Sequence, residues 1–172
     1  MIILGIDPAL SVTGYGAIDF DKNKICLVEA GIIKTSAREV NSERLKKIYD
    51  GMSSLIADTK PDVMVVEKLF AHCHHPTTAY LLGQARGVIC LSSANANIPL
   101  VEYAATRIKK AIVGRGLGSK YQVQKMVAVF LNLNHLPEYT DVTDALALAI
   151  AHSNIMMKIP SDSPLSKGRK EW

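Results

Sequence analysis

The sequence predicts an α/β fold: a mixed five-stranded sheet with helices packed against it. Three observations carry this. Residues 1–35 hold three β-prone runs separated by tight turn signals, the pattern of an antiparallel meander. Two later apolar runs, in "DVMVVEKLF" and "IPLVEY", alternate with helical segments, the pattern of parallel strands joined by helices. Hydrophobic residues make up 48% of 172, enough for a substantial core in one domain of ordinary size.

The first strand is the run Ile2, Ile3, Leu4 and Ile6, broken only by Gly5 and ended by Asp7 and Pro8. Thr13–Gly16 leads into the second strand, Ala17 to Phe20. A turn at Asp21–Lys24 starts the third, Ile25 to Thr35, in which Gly31 marks a bulge. Leu45, Ile48, Met52, Leu55 and Ile56 recur at spacings of three and four, so a helix follows. Asn41 or Ser42 is its expected cap, and Lys60-Pro61 its end. "TTAYLLGQARGVICLSSANAN" reads as a helix that is apolar nearly all round. One stripe would suffice against a sheet, so the excess suggests a second buried face against another subunit. Helices over Ala104–Ile112 and Tyr121–Asn132 are joined by "GRGLGSK", and a last helix runs from Thr140 past His152. The expected division is a domain over 1–157 and a loose, Pro/Ser/Lys-rich tail over 158–172.

No apolar run approaches the roughly 20 residues a membrane span needs. A strand begins at once, with no basic, apolar and small-residue leader pattern. The three cysteines, Cys26, Cys73 and Cys90, are too few and too irregular for a disulfide framework. Together these suggest a cytoplasmic protein. The net charge of +4 is unevenly placed: Tyr103 to Pro137 contains six of the 20 basic residues and none of the 16 acidic ones. A one-signed stretch of this kind suits a polyanion, although a solvated basic face has the same composition.

Asp7 and Glu67 each end an apolar strand. A carboxylate there costs several kcal/mol, roughly, unless a cation sits beside it. Asp141 and Asp144 are three apart on the last helix, so both point from one face, about 5–6 Å apart at Cβ. Hard cations such as Mg²⁺ prefer carboxylate oxygens, and two ions about 3.5–4 Å apart can clamp a phosphodiester. Singly, each acid has a plainer role: a turn residue at a strand end, or a residue that satisfies a helix dipole. Two strand-end acids, a paired helix face and an acid-free basic stretch together favour phosphodiester chemistry.

These residues resemble the RuvC-type Holliday-junction resolvases of the ribonuclease H-like superfamily. The resemblance rests on "GIDPALSVTGYG", "VVEKLF", "GQARGV", "EYAATRIKKAIVGRGLGSKYQVQKMV" and "TDVTDALALAIAH", in the family's order over about residues 2–152. It implies a crossover junction endodeoxyribonuclease with Asp7, Glu67, Asp141 and Asp144 as its metal-binding catalytic carboxylates. It implies two Mg²⁺ ions per site, with Mn²⁺ as a substitute. It also implies a homodimer that nicks a four-way DNA junction symmetrically, in recombination and repair, beside a junction-binding and branch-migration helicase complex of the RuvA/RuvB type. Ala9 stands where the family usually has glycine, which alters a turn but removes no ligand. The loop "AHCHHPTTA" also departs from the family. His72, Cys73, His74 and His75 are adjacent residues that make a poor tetrahedral zinc site, so a solvated loop that touches DNA is the better reading.

Phe70 lies three residues past Glu67, where an apolar ring is either a loop anchor or a wedge against unstacked bases. The resemblance favours the wedge. Lys109 and Lys120 match family positions that hold backbone phosphates. "GRGLGSK" lacks the frame of a P-loop and reads instead as a loop whose amides meet a DNA phosphate. Two rival classes remain in view. Actin-like ATPases and sugar kinases open on a similar strand and hairpin, but need a second phosphate strand and a longer chain. A non-catalytic nucleic-acid-binding module on the same fold would show the loss of an acid, and all four are present.

Overall fold

The first three strands fold back on one another as a meander: β1 (Ile2–Asp7), β2 (Val12–Asp21) and β3 (Lys24–Lys34). A computed structural model describes residues 1–68 and 76–157. Phe70, the His72–His75 loop and the tail 158–172 lie outside the described residues. The chain continues as α1 (Asn41–Thr59), β4 (Val63–Glu67), α2 (Pro76–Asn95), β5 (Leu100–Tyr103), α3 (Ala105–Val113), α4 (Lys120–Phe130) and α5 (Thr140–Met157). The sheet order is β3-β2-β1-β4-β5. The β1–β2 and β2–β3 pairs are antiparallel, whereas β1–β4 and β4–β5 are parallel.

Alternation along the central strands divides the interior into two cores. Ile3, Val63 and Val65 face one side of the sheet, where α5 lies with α3 and α4 outside it. Leu4, Ile6, Met64 and Val66 face the other, against Ile48 and Met52 of α1 and Ala85 and Ile89 of α2. β4 is therefore apolar at every position before Glu67, as a strand covered on both faces must be. The unbroken burial of α5 from Ala145 to Asn154 has the same cause. Ala145 and Ala149 pack on the sheet at Gly5, and the other face is covered by α3 and α4. Gly5 makes the closest approach, since a Cβ there would sit 2.0 Å from the Ala145 carbonyl oxygen.

Three local details differ from the sequence expectation. β2 starts at Val12, so Thr13–Gly16 is strand rather than lead-in. The bulge lies at Val28, because the register steps from Ala17 opposite Glu29 to Ile18 opposite Leu27. Gly31 stays paired with Tyr15, whose ring fills the space a Gly31 side chain would need. The N-cap of α1 is Val40, with no side-chain cap. Asn41 is instead drawn into a 2.6 Å hydrogen bond from its Nδ2 to Gln84 Oε1 on α2. The end of α1 is as expected: Lys60 adopts φ 47° and its N–H bonds the Ile56 carbonyl before Pro61.

The outer side of α2 is unusual for a monomer surface. Tyr80 is 64% exposed and Leu91 53% exposed, and between them Gly83 and Gly87 have no atom within 4 Å of where a Cβ would lie. Leu82 is half-buried and lies away from this face. Among the described residues, no helix is long and apolar enough to cross a membrane.

Candidate active site

β1 and β4 are parallel neighbours with Ile6 opposite Val66, so Asp7 and Glu67 emerge side by side at one edge of the sheet. That edge lies at the carboxyl ends of parallel strands, the usual place for a site in an open sheet. Gly14 of β2 is the register partner of Asp7. A Cβ at Gly14 would lie 2.3 Å from the Asp141 carbonyl oxygen, so the missing side chain lets the first turn of α5 rest on the sheet beside Asp7. Asp141 sits in that turn, and Asp144 follows one turn on.

Asp7, Glu67 and Asp144 line one cleft of about 280 Å³ together with Lys109 of α3, Lys120 of α4 and the apolar Ile108 and Leu148. Asp141 is at the margin and acts on Asp7 through its charge. The structure thus draws together the four acids and both lysines singled out in the sequence. Lys120 is held most directly, by an ion pair from its Nζ to Asp144 Oδ2 at 2.6 Å. It occupies the first position of α4 because Ser119 and Gln122 form a capping box there, a motif the sequence reading passed over.

Asp7 and Glu67 feel both their burial and the neighbouring charges. Burial, then the charges of Asp144, Asp141 and Glu67, push the Asp7 carboxyl up to about 7, against a smaller pull from Lys120. Burial and then Asp144 raise Glu67, while Lys109 and Arg86 draw it back. The hydrogen bond to Asp144 raises Lys120 above the usual lysine range. Behind the cleft the Tyr103 hydroxyl is 2.9 Å from Nδ1 of His152, a buried pair tying β5 to α5. Burial lowers His152 to about 4 and keeps it neutral. Arg107 lies over the Tyr103 ring at 5.0 Å. Sequence reasoning missed Arg86, although a single charged residue in an otherwise uncharged helix was a visible signal.

An all-carboxylate donor set whose members repel one another fits a hard divalent cation. Among the described residues no three His, Cys, Asp or Glu side chains form a group that could by itself hold a metal ion.

The family model for the crossover junction endodeoxyribonuclease RuvC matches residues 3–152. This chain belongs to the RuvC family. A RuvC relative from Rhodopirellula baltica is 43% identical over 164 residues, covering 95% of this chain and 92% of its own. One from Syntrophotalea carbinolica is 45% identical over 154 residues, covering 90% and 94%. The solved structure of Thermus thermophilus RuvC in complex with a Holliday junction substrate superposes with a TM-score of 0.85 at 29% identity, over 90% of this chain and 94% of that one. The yeast mitochondrial Holliday junction resolvase Ydc2 shares the fold alone, at 12% identity and a TM-score of 0.61, over 88% of this chain and 77% of its own. RuvC membership and these neighbours agree with the ribonuclease H-like sheet described above.

Proposed function

We propose that this chain, a junction-resolving endonuclease by its family, cuts four-way DNA junctions through phosphodiester hydrolysis with two Mg²⁺ ions held by Asp7, Glu67, Asp141 and Asp144. The observation that carries the proposal is the convergence of Asp7, Glu67 and Asp144 on one cleft, with Asp7 pushed up to about 7 by burial and by the charges of Asp144, Asp141 and Glu67. Bound there, the ions would supply a water of lowered pKa and Lewis-acid stabilisation of the leaving oxygen. Lys109 and Lys120, which line the same cleft as the acids, hold the backbone phosphates on either side of the scissile bond. The acid-free stretch around them supplies the sequence-independent part of DNA affinity. Phe70, three residues beyond Glu67, is the proposed wedge that opens bases at the crossover. The setting proposed is cytoplasmic DNA recombination and repair, beside a branch-migration helicase complex of the RuvA/RuvB type.

Incubation with a mobile four-way junction, a linear duplex and a single strand tests the activity. Mg²⁺ or Mn²⁺ is expected to support cutting of the junction alone, and Ca²⁺ to support binding with little cutting, because its looser coordination does not hold water and phosphate in line. Full activity in a chelator contradicts the metal proposal.

Paired nicks require two sites, and the outer face of α2 supports a homodimer. Glycine inside a helix is less favourable than alanine by about 1 kcal/mol, so Gly83 and Gly87 on an open face call for a close neighbour. Tyr80 and Leu91 flank them with exposed apolar surface. Leu91→Glu is expected to give monomers, seen by sedimentation, that nick junctions without resolving them. An unmodified protein that sediments as a monomer even with junction bound contradicts this.

A further inference from the structure

We infer that Arg86 is a positioning residue that fixes Glu67, and through it the cation affinity of the cleft. The inference rests on the proposal that Glu67 is a metal ligand. Arg86 is the only charged residue of the 20-residue helix α2, and its side chain is only 12% exposed. Its Nη1 donates to the main-chain carbonyl of Glu67 at 2.7 Å, and its Nη2 to Glu102 Oε1 at 2.5 Å. Glu102 lies opposite Val66 across the β4–β5 pair, so one planar guanidinium spans the ends of both strands.

The position needs such a fastening. Glu67 lies one residue past Val66, the last β4 residue paired with β1, and is the last β4 residue paired with β5. The N–H of the next residue, Lys68, bonds the Tyr103 carbonyl at 2.8 Å. Tyr103 and Arg86 thus hold the Glu67–Lys68 peptide by its N–H and its C=O respectively. A carboxylate must be placed to within a few tenths of an ångström to serve as a ligand, and the groups that orient ligands influence affinity nearly as much as the ligands. A lysine could keep the charge of Arg86 but not its two-pronged geometry. Arg86 reaches Glu67 from α2, across the sheet from α5, so the two halves of the acid cluster are set by helices on opposite faces.

The test is Mn²⁺ binding to the DNA-free protein, followed by electron paramagnetic resonance, beside the Mg²⁺ midpoint of junction cutting. Arg86→Met and Arg86→Lys are each expected to weaken Mn²⁺ by about 10-fold and to raise the Mg²⁺ midpoint in step. Cutting at saturating Mg²⁺ should recover to within about 3-fold, and junction binding in Ca²⁺ should hold. Glu102→Gln leaves the bond to the Glu67 carbonyl and is expected to change Mn²⁺ affinity less than about 3-fold. If Arg86→Met does not fold, Arg86→Lys decides. Unchanged or tighter Mn²⁺ binding in Arg86→Lys overturns the inference, as does a Glu102→Gln variant as weak as the arginine variants. Glu67→Gln separates the two levels. If it binds Mn²⁺ as well as the unmodified protein does, Glu67 is no ligand and the metal proposal fails. If it binds weakly while both arginine variants bind normally, only the role of Arg86 is lost.

Discussion

Asp7→Asn is expected to lower junction cutting by several orders of magnitude while raising the melting temperature of the metal-free protein at pH 8. The two effects share one cause. The folded state holds the Asp7 carboxyl at about 7 against an ordinary 3.8, so keeping it ionised costs on the order of 4 kcal/mol above that pH. An acid with a raised pKa binds its proton in the folded chain where the unfolded chain has lost it. The cost is therefore complete above pH 7, shrinks as pH falls through 7, and is gone near pH 4. Asparagine removes the charge and nearly keeps the shape. In a chain of this length each kcal/mol moves the melting temperature by about 2–4 °C, so a rise of roughly 5 °C or more is expected at pH 8. Calorimetry in chelator at pH 8 and at pH 4.5 checks this, and the advantage should shrink to about a quarter at the lower pH. Cutting falls because ion placement sets the line of attack. Junction binding should survive, since the proposed phosphate contacts are Lys109, Lys120 and the acid-free stretch around them, not Asp7. An Asp7→Asn protein that melts lower and still cuts would make Asp7 an ordinary turn residue.

The strands, the helices and the four acids were legible because each leaves a local mark: an apolar run that stops at a carboxylate, a stripe of period 3.6, or an i, i+3 pair. What the sequence hid depends on partners far away in the chain. Gly31 looks like a bulge but makes room for Tyr15, while the bulge falls at Val28, which has no local signature. Asn41 has the chemistry of a cap, yet Gln84 on another helix holds its side chain. Lys120 reads as a phosphate lysine, and only the fold shows it paired with Asp144. Arg86 is a charge among apolar neighbours until β4 and β5 bring Glu67 and Glu102 to it. Gly5 and Gly14 are the subtlest case. Strand glycines suggest weakness or a bend, whereas these two allow a helix backbone to lie against the sheet.

Gly14→Ala is expected to reduce cutting by at least about 100-fold in a protein that still folds. The added methyl would lie 2.3 Å from the Asp141 carbonyl oxygen and 2.8 Å from Asp141 Cβ, where ordinary contact begins near 3.4 Å. Neither neighbour is a flexible tip, so the first turn of α5 must move off the sheet by roughly 1 Å, and Asp141 and Asp144 must move with it. Asp7 and Glu67 stay behind on β1 and β4. A displacement of that size between reacting groups costs about 10²-fold, while overpacking of this kind costs about 1–3 kcal/mol of stability. Gly5→Ala supplies the contrast. Its methyl would meet the Ala145 carbonyl at 2.0 Å and the Ala149 nitrogen at 2.9 Å, deep under the middle of α5. That variant is expected to lose more stability than Gly14→Ala, because the buried centre of the helix cannot tilt away. Urea unfolding beside single-turnover cutting at saturating Mg²⁺ distinguishes them. Gly14→Ala should retain its circular dichroism and most of its stability, and lose its rate. If it folds and cuts at the unmodified rate, the approach of α5 to β2 does not set the acids, and Asp141 and Asp144 do not act in register with Asp7.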